Sequence, residues 1–191
     1  KKVQTFAVVK ANAYGHGAVT VAKYLSKQVD GFCVSNLDEA LELRQAGLEQ
    51  PILILGVVLP DEVPLAIQEN ITLTVASLEW LEMVKDQRLD LTGLTCHIKV
   101  DSGMGSIGVR SQEDADSLIA GLKSLGADVE GIFTHFSVSD EGEPGDFFTE
   151  NQFEDFMGAI GMLKRRGIDF KLRHCSNSGA ILDYPDMQLD M

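Results

Sequence analysis

The sequence has few cysteines and no long apolar run, and each shortage excludes a class of protein. The three cysteines are Cys33, Cys96 and Cys175, an odd number without the spacing of a zinc site or a disulfide framework. No run of eighteen apolar residues occurs, so the sequence predicts no transmembrane helix. We therefore expect buried free thiols, no metal site and no membrane partner.

Basic residues are also scarce relative to acidic ones. The chain has 16 Lys and Arg against 29 Asp and Glu, a net charge of -13. A nucleic-acid-binding protein needs a basic surface to displace counterions, so we expect no nucleic-acid partner. The apolar stretch at residues 6–9 is too short for a signal peptide. These features together are typical of a soluble cytoplasmic enzyme.

Short apolar runs alternate with longer amphipathic segments along the whole chain. The apolar runs predict seven buried strands, and a last segment predicts the start of an eighth. The amphipathic segments predict helices, several of which begin after a capping residue such as Ser77 or Ser111. The predicted strands are 6–10, 31–35, 51–56, 71–75, 95–100, 131–135, 170–174 and 188–191. The predicted helices are 38–46, 59–69, 78–84, a segment after Ser111, and 153–163.

This alternation predicts a parallel sheet with helices on its outside. Seven or eight such units favour a (β/α)₈ TIM-type barrel, and an open doubly wound sheet stays the alternative. The chain has 191 residues, whereas such barrels usually need about 250. We therefore expect one α/β barrel domain over residues 1–191 that is incomplete at its C-terminal end.

Lys10 is the most informative polar residue because it closes the first apolar run. In a barrel of this kind, functional side chains lie at the carboxyl ends of the strands. If the barrel mouth covers the amine, desolvation favours its neutral form, which is the form that makes imines. A solvated strand end explains the same pattern, so both interpretations stay open at this point.

The residues around Lys10 resemble a family signature. Residues 7–17 read AVVKANAYGHG and are similar to the signature of the alanine racemases, which use pyridoxal 5′-phosphate (PLP). The resemblance implies that Lys10 holds PLP as an imine and acts as a catalytic base, and that Tyr14 binds the cofactor phosphate. Further matches follow in the family's order at 36–47, 97–110, 131–136 and 174–180.

The resemblance also implies roles for residues at later strand ends. His135 would pack against the cofactor ring, while Asn177 and Ser178 would contribute to the phosphate pocket. Lys99 corresponds to a lysine that is carbamylated in some family members. Ser106 stands where the family usually has an arginine. A serine has no fixed cationic fork, so a carbamate on Lys99 would lose its usual partner.

The implied reaction is the interconversion of L- and D-alanine, which feeds peptidoglycan synthesis. PLP acts as the electron sink, and two bases on opposite faces exchange the α-proton. In the family the second base is a tyrosine from a partner subunit's C-terminal β-domain, which this chain lacks. We therefore expect a homodimer for the full-length protein and an inactive isolated chain. Three alternatives stay open: a racemase of another amino acid such as serine, a non-catalytic PLP-binding carrier barrel, and a barrel without a ligand.

Overall fold

In the computed structural model, which describes residues 2–191, seven strands alternate with helices. The strands are β1 Phe6–Val8, β2 Gly31–Val34, β3 Ile52–Ile54, β4 Thr72–Val75, β5 Thr95–Lys99, β6 Asp128–Phe133 and β7 Leu172–His174. The helical segments are α1 Lys10–Tyr14, α2 Ala18–Leu25, α3 Leu37–Gln45, α4 Val63–Gln68, α5 Leu78–Asp86, α6 Gln112–Ser124, α7 Glu143–Arg165 and α8 Ser178–Asp183. Short 3₁₀ helices cover Pro60–Glu62 and Pro185–Met187.

All seven strands are parallel, and their order in the sheet is their order in the chain. A doubly wound sheet reverses its strand order near the middle, so that alternative is excluded. Sequential parallel strands with intervening helices form a TIM-type barrel. The prediction of an α/β barrel that is incomplete at its end is confirmed.

Asp190 occupies the position that an eighth strand would take in the barrel. Its N–H donates to Arg173 O on β7 at 2.9 Å, and its carbonyl accepts from Gln4 N, just before β1, at 2.9 Å. Its carboxylate also pairs with Arg173 Nε at 2.7 Å. Residues 188–191 do not form a strand, but they connect the last described strand to the first.

The two faces of the strands have different chemistry. Residues on the outer face are apolar and pack beneath the helices, as Phe32, Ile54 and Ile98 do. On the opposite face, the strand register pairs Thr74 with His97. On the same face it pairs Phe133 with both Lys99 and His174. Because side chains alternate along a strand, these residues share the inside of the barrel. The barrel interior is therefore unusually polar at β4 to β7.

Three of the five predicted helices begin within one residue of the predicted start, whereas α1, α2 and α8 were not predicted. Asn36, Ser77 and Ser111 each accept a hydrogen bond from the backbone three residues later, and α3, α5 and α6 follow them. The start of α7 was predicted wrongly, because the helix begins at Glu143 rather than at residue 153. Pro144 suits the first turn of a helix. The segment 59–69 divides into a 3₁₀ turn and α4, since its two prolines fall at helix starts.

The three cysteines are buried and unpaired, as predicted. Burial raises the pKa of each thiol to about 12, so all three stay protonated at neutral pH. Among residues 2–191, no helix is both long and apolar enough to cross a membrane.

Candidate functional site

The predicted site residues follow the ends of four strands at one mouth of the barrel. Lys10 comes after β1, Lys99 ends β5, His135 comes after β6, and Asn177 and Ser178 come after β7. Parallel strands bring their carboxyl ends to the same edge, so these residues lie on one face of the barrel. Burial lowers the pKa of His135, and Lys99 and Lys10 are both close enough for their charges to lower it further.

Lys10 is half-buried at the point where β1 ends. The N–H of Val9 still donates to Cys33 O on β2 at 2.9 Å, so the strand pairing continues up to the lysine. Burial raises the pKa of the Cys33 thiol on β2, and the charge of Lys10 partly opposes that shift, so the amine lies within electrostatic range of β2. Lys10 therefore stands at the inner rim of the barrel mouth.

The residues after Lys10 make a left-handed turn. Ala11, Asn12 and Ala13 have φ of 50–54° and ψ of 46–49°, and Tyr14 has φ of 54°. A left-handed residue other than glycine costs about 1–2 kcal/mol, because its Cβ crowds the following carbonyl. Four consecutive residues of this kind are a strained segment at the edge of the site, which is where proteins concentrate such strain.

Hydrogen bonds hold this turn in place. Asn12 Oδ1 accepts from Ala18 N at 2.8 Å and so caps α2, while Gly17 N donates to Asn12 O at 2.9 Å. The N–H of Ala11 donates to the Glu39 carboxylate at 2.8 Å. The turn leaves the Tyr14 side chain 62% exposed, above the mouth rather than in the core.

Lys99 is 4% exposed and faces the barrel interior. Its ammonium donates to Val100 O and Ile107 O, each at 3.2 Å, and lies 5.7 Å from the centre of the Phe133 ring. Burial lowers the pKa of Lys99, although the charge of Asp101 partly opposes this shift. The amine thus ties the end of β5 to the loop that follows it.

The loop between β5 and α6 is folded around Asp101. Its carboxylate accepts from Gly105 N at 2.9 Å and from Arg110 Nε at 2.8 Å. Arg110 is engaged there with its side chain 69% exposed, so it does not replace the arginine that the family usually has at the position of Ser106. Ser106 itself is exposed.

His135 stands at the mouth with an exposed surface, yet the surrounding protein partly desolvates its ring. Burial, followed by the charges of Lys99 and Lys10, lowers the pKa of His135. The imidazole is therefore neutral at pH 7, since its usual value is already below 7. A neutral flat ring beside two amines is suited to packing against a planar ligand.

Asn177 is the N-cap of α8, and its side chain is fully engaged by the protein. Its Oδ1 accepts from Ala180 N at 2.9 Å and from Ser139 Oγ at 2.7 Å, and its Nδ2 donates to Phe136 O at 3.4 Å. These bonds tie the loop after β6 to the start of α8. Ser178, the first residue of the helix, is exposed at the mouth.

Sequence reasoning missed a buried polar chain inside the barrel. His97 Nε2 lies 3.5 Å from Glu130 Oε2, and His97 Nδ1 lies 2.9 Å from His174 Nε2. When the His97 proton is on Nε2, it faces the Glu130 carboxylate and leaves Nδ1 as an acceptor. The Nε2–H of His174 then donates to His97 Nδ1. The His174 ring stacks on Phe133, with centroids 4.6 Å apart.

This chain keeps His174 neutral behind the mouth. Burial lowers the pKa of His174 well below its usual value, and the adjacent His97 lowers it further. The hydrogen bond from His97 holds the pKa of Glu130 below its ordinary value despite burial. One sequence signal could have found His97: it lies two residues before Lys99 and so shares its strand face.

Comparisons with known proteins agree with this geometry. The family profile described as alanine racemase, N-terminal domain, matches residues 1–191. The alanine racemase of Streptococcus thermophilus (strain CNRZ 1066) is 72% identical over 178 residues, which is 93% of this chain and 47% of that protein. The alanine racemase of Streptococcus pyogenes serotype M6 is 58% identical, over 96% of this chain and 49% of its own length.

Solved structures show the same fold. The alanine racemase of Clostridium difficile 630 superposes with a TM-score of 0.91 at 37% identity, covering 100% of this chain and 53% of that one. A histidine racemase from Leuconostoc mesenteroides gives a TM-score of 0.82 at 30% identity, over 92% of this chain and 46% of that one. The chain thus spans about half the length of its relatives, and it belongs to the family of alanine racemase N-terminal domains.

Proposed function

We propose that residues 1–191 form the cofactor-binding barrel domain of a PLP-dependent alanine racemase. The observation that carries this proposal is the convergence of Lys10, Lys99 and His135 at one barrel mouth, with Lys10 at the end of β1. The strong similarity to proteins named alanine racemase supports the choice of reaction.

The mouth fits a planar anionic cofactor. The chain as a whole carries a net charge of -13, but the mouth presents the half-buried amine of Lys10 and the neutral ring of His135. The charge of the buried Lys99 also acts on His135. Amines attract a phosphate, and the start of a helix offers N–H groups to it. The exposed Ser178 and the backbone at Asn177 are suited to that contact, because the Asn177 side chain is already in use.

Lys10 has two roles in this proposal: it holds the cofactor, and its Nζ takes or returns the α-proton on one face of the substrate. When bound, PLP withdraws electrons from the α-carbon and makes that proton removable. His135 packs against the cofactor ring, and Tyr14 reaches over the phosphate from the left-handed turn. The buried His97–His174 pair supports the floor of the site from inside the barrel.

The second base must approach from outside the mouth. We propose that it comes from a partner subunit in a homodimer, as the family resemblance implies. The rim supports this proposal, because the loops after β1, β3 and β5 expose apolar side chains there. These residues are Tyr14, Val57, Leu59, Met104 and Ile107. Exposed apolar patches of this kind mark interaction surfaces. In the cell, D-alanine made in the cytoplasm would supply peptidoglycan synthesis.

The proposal is tested by measuring D-alanine formed from L-alanine by the complete natural protein that contains residues 1–191. We expect turnover that requires added or retained PLP. The isolated 191-residue chain should show no appreciable turnover, because in this proposal the second base comes from outside residues 1–191. A complete protein that binds PLP but racemises no amino acid would instead support the carrier barrel.

A racemase of another amino acid is the second candidate, and two observations favour testing it. A histidine racemase shares this fold at 30% identity, and Ser106 departs from the family's usual arginine. The test compares kcat/KM for alanine, serine and histidine in one preparation. We expect alanine to have the highest value; a higher value for serine or histidine would assign the substrate to that amino acid.

We further propose that Lys99 remains an unmodified amine. Its Nζ already donates to two backbone carbonyls. A carbamate would bring anionic oxygens against those carbonyl oxygens, and Ser106 provides no cation to compensate. After incubation with ¹³C-bicarbonate, we expect no carbamate resonance in the ¹³C NMR spectrum. A resonance that is present in the natural protein and absent from Lys99→Arg would contradict this prediction.

A further inference from the structure

The Glu39 carboxylate joins the ends of β1 and β2. Its Oε1 accepts from the N–H of Ala11, the residue after Lys10, at 2.8 Å. Its Oε2 accepts from both the N–H and the hydroxyl of Ser35, each at 2.7 Å. One side chain on α3 therefore holds the residue after Lys10 and the residue after β2.

This contact is not part of the ordinary capping of α3. Asn36 caps the helix by accepting from Glu39 N at 3.0 Å. A glutamate at the third helical position usually turns back to the N–H of the capping residue. Glu39 instead extends past Asn36 to Ser35 and across to Ala11, which is 28 positions earlier in the chain. The helix is capped without it, so the carboxylate has another structural role.

That role concerns the strained turn after Lys10. Ala11 has φ of 50° and ψ of 49°, the first of four left-handed residues. An alanine relaxes readily from this conformation unless its surroundings hold it. The hydrogen bond from Ala11 N to Glu39 links the first left-handed residue to α3.

The carboxylate is charged and lies near Lys10. Burial raises the pKa of Glu39, but hydrogen bonds from Ser35 and Ala11 and the charge of Lys10 outweigh burial and leave that pKa below its usual range. Glu39 is therefore ionised at neutral pH. Its negative charge and the charge of Lys10 are close enough to interact.

We propose that Glu39 is a positioning residue that locks the left-handed turn and so aims the Lys10 amine into the barrel mouth. The inference rests on the proposed role of Lys10 as the cofactor lysine. Glu39 does not touch the substrate or the cofactor in this proposal. It acts through the Ala11 backbone and through its charge.

The test replaces Glu39 with glutamine in the complete natural protein. A glutamine side chain has one acceptor oxygen. Ser35 supplies two of the three donors, so we expect the oxygen to stay with Ser35 and the NH₂ group to face Ala11 N–H, which loses its acceptor. We expect PLP to bind about tenfold more weakly, equal to about 1.4 kcal/mol. The absorption band of the protonated lysine–cofactor imine should also disappear at a lower pH in the variant, because the imine pKa falls when the nearby negative charge is removed. The matched control is Glu42→Gln, an exposed residue of the same helix, which should leave both quantities unchanged.

A second measurement separates this inference from the proposed function. Hydrogen exchange of the Ala11 amide, followed by NMR, should be at least tenfold faster in Glu39→Gln than in the natural protein. If the natural protein shows no lysine-bound band, the proposed function fails, whatever the exchange rate. If Ala11 exchanges faster while PLP affinity and the band stay unchanged, the positioning role is overturned.

A rescue experiment keeps the inference testable if the single variant folds poorly. Ala11→Gly removes most of the cost of the left-handed conformation, because glycine adopts it readily. In the Ala11→Gly background, the loss of PLP affinity caused by Glu39→Gln should shrink to less than threefold. An undiminished loss in that background would show that Glu39 does not act by holding the turn.

Discussion

Lys10→Ala is expected to abolish the absorption band of the lysine-bound cofactor and to lower kcat at least 10³-fold. In the proposed mechanism the variant loses the covalent anchor and one of the two bases, and a positioned base alone contributes roughly 10²- to 10⁴-fold. Lys10 is half-buried at the inner rim, and Lys99 is held by two backbone carbonyls, so Lys99 is not free to replace it. The measurements are the absorbance spectrum with PLP and the rate of D-alanine formation.

Two matched variants make this prediction specific to the amine of Lys10. Lys23→Ala removes an exposed lysine of α2 and should leave the band and the rate unchanged. Lys10→Arg keeps a positive charge but cannot form an imine, because a guanidinium stays protonated. It should therefore lose the band as completely as Lys10→Ala. Persistence of the band in both Lys10 variants would assign the cofactor to another lysine.

Gly131→Ala should destabilise the barrel by about 2–3 kcal/mol, the upper range for overpacking a core. A Cβ at this position would lie 2.7 Å from three atoms of the His97 ring. The ring cannot move aside easily, because it lies between Glu130 and His174. Displacing it would also disturb His174 behind the mouth, so PLP affinity should fall together with stability. Urea unfolding and PLP titration measure the two effects.

The control for Gly131→Ala is Gly158→Ala in α7. A Cβ at Gly158 has no neighbouring atom within 4 Å. Alanine in an exposed helix is more favourable than glycine by about 1 kcal/mol, so this variant should be slightly more stable than the natural protein. Equal unfolding midpoints for the two variants would show that the barrel interior is not packed as tightly around His97 as the structure indicates.

The repeating elements could be predicted from sequence, since each strand and most helices carry a local pattern. The apolar runs gave seven strands, and capping residues such as Ser77 located helix starts within one or two residues. The start of α7 was missed by ten residues. Its first turns carry Pro144 and Gly145, and they bury Thr149 and Gln152 instead of an apolar stripe. Periodicity gives no signal where polar residues form the buried face.

The site could be predicted only in part. The family resemblance indicated Lys10, Lys99 and His135. Their positions at the carboxyl ends of parallel strands predicted that they lie at one mouth of the barrel. The helix predicted over 38–46 gives Glu39 no particular role, because nothing in its neighbourhood indicates that it reaches Ala11. The left-handed turn was missed for a related reason: alanine and tyrosine strongly disfavour positive φ, so local preference predicts the opposite conformation.

The sequence by itself determined the parallel strand–helix alternation, the barrel and the lysine that we propose as the cofactor anchor, since these depend on local periodicity and a contiguous motif. Tertiary structure alone decided how that residue is held. The contacts from Glu39 to Ala11 and from His97 to His174 join positions 28 and 77 residues apart. Such pairs depend on which strand ends meet at the mouth and which side chains fill the barrel, and only the packed barrel brings them within hydrogen-bonding distance.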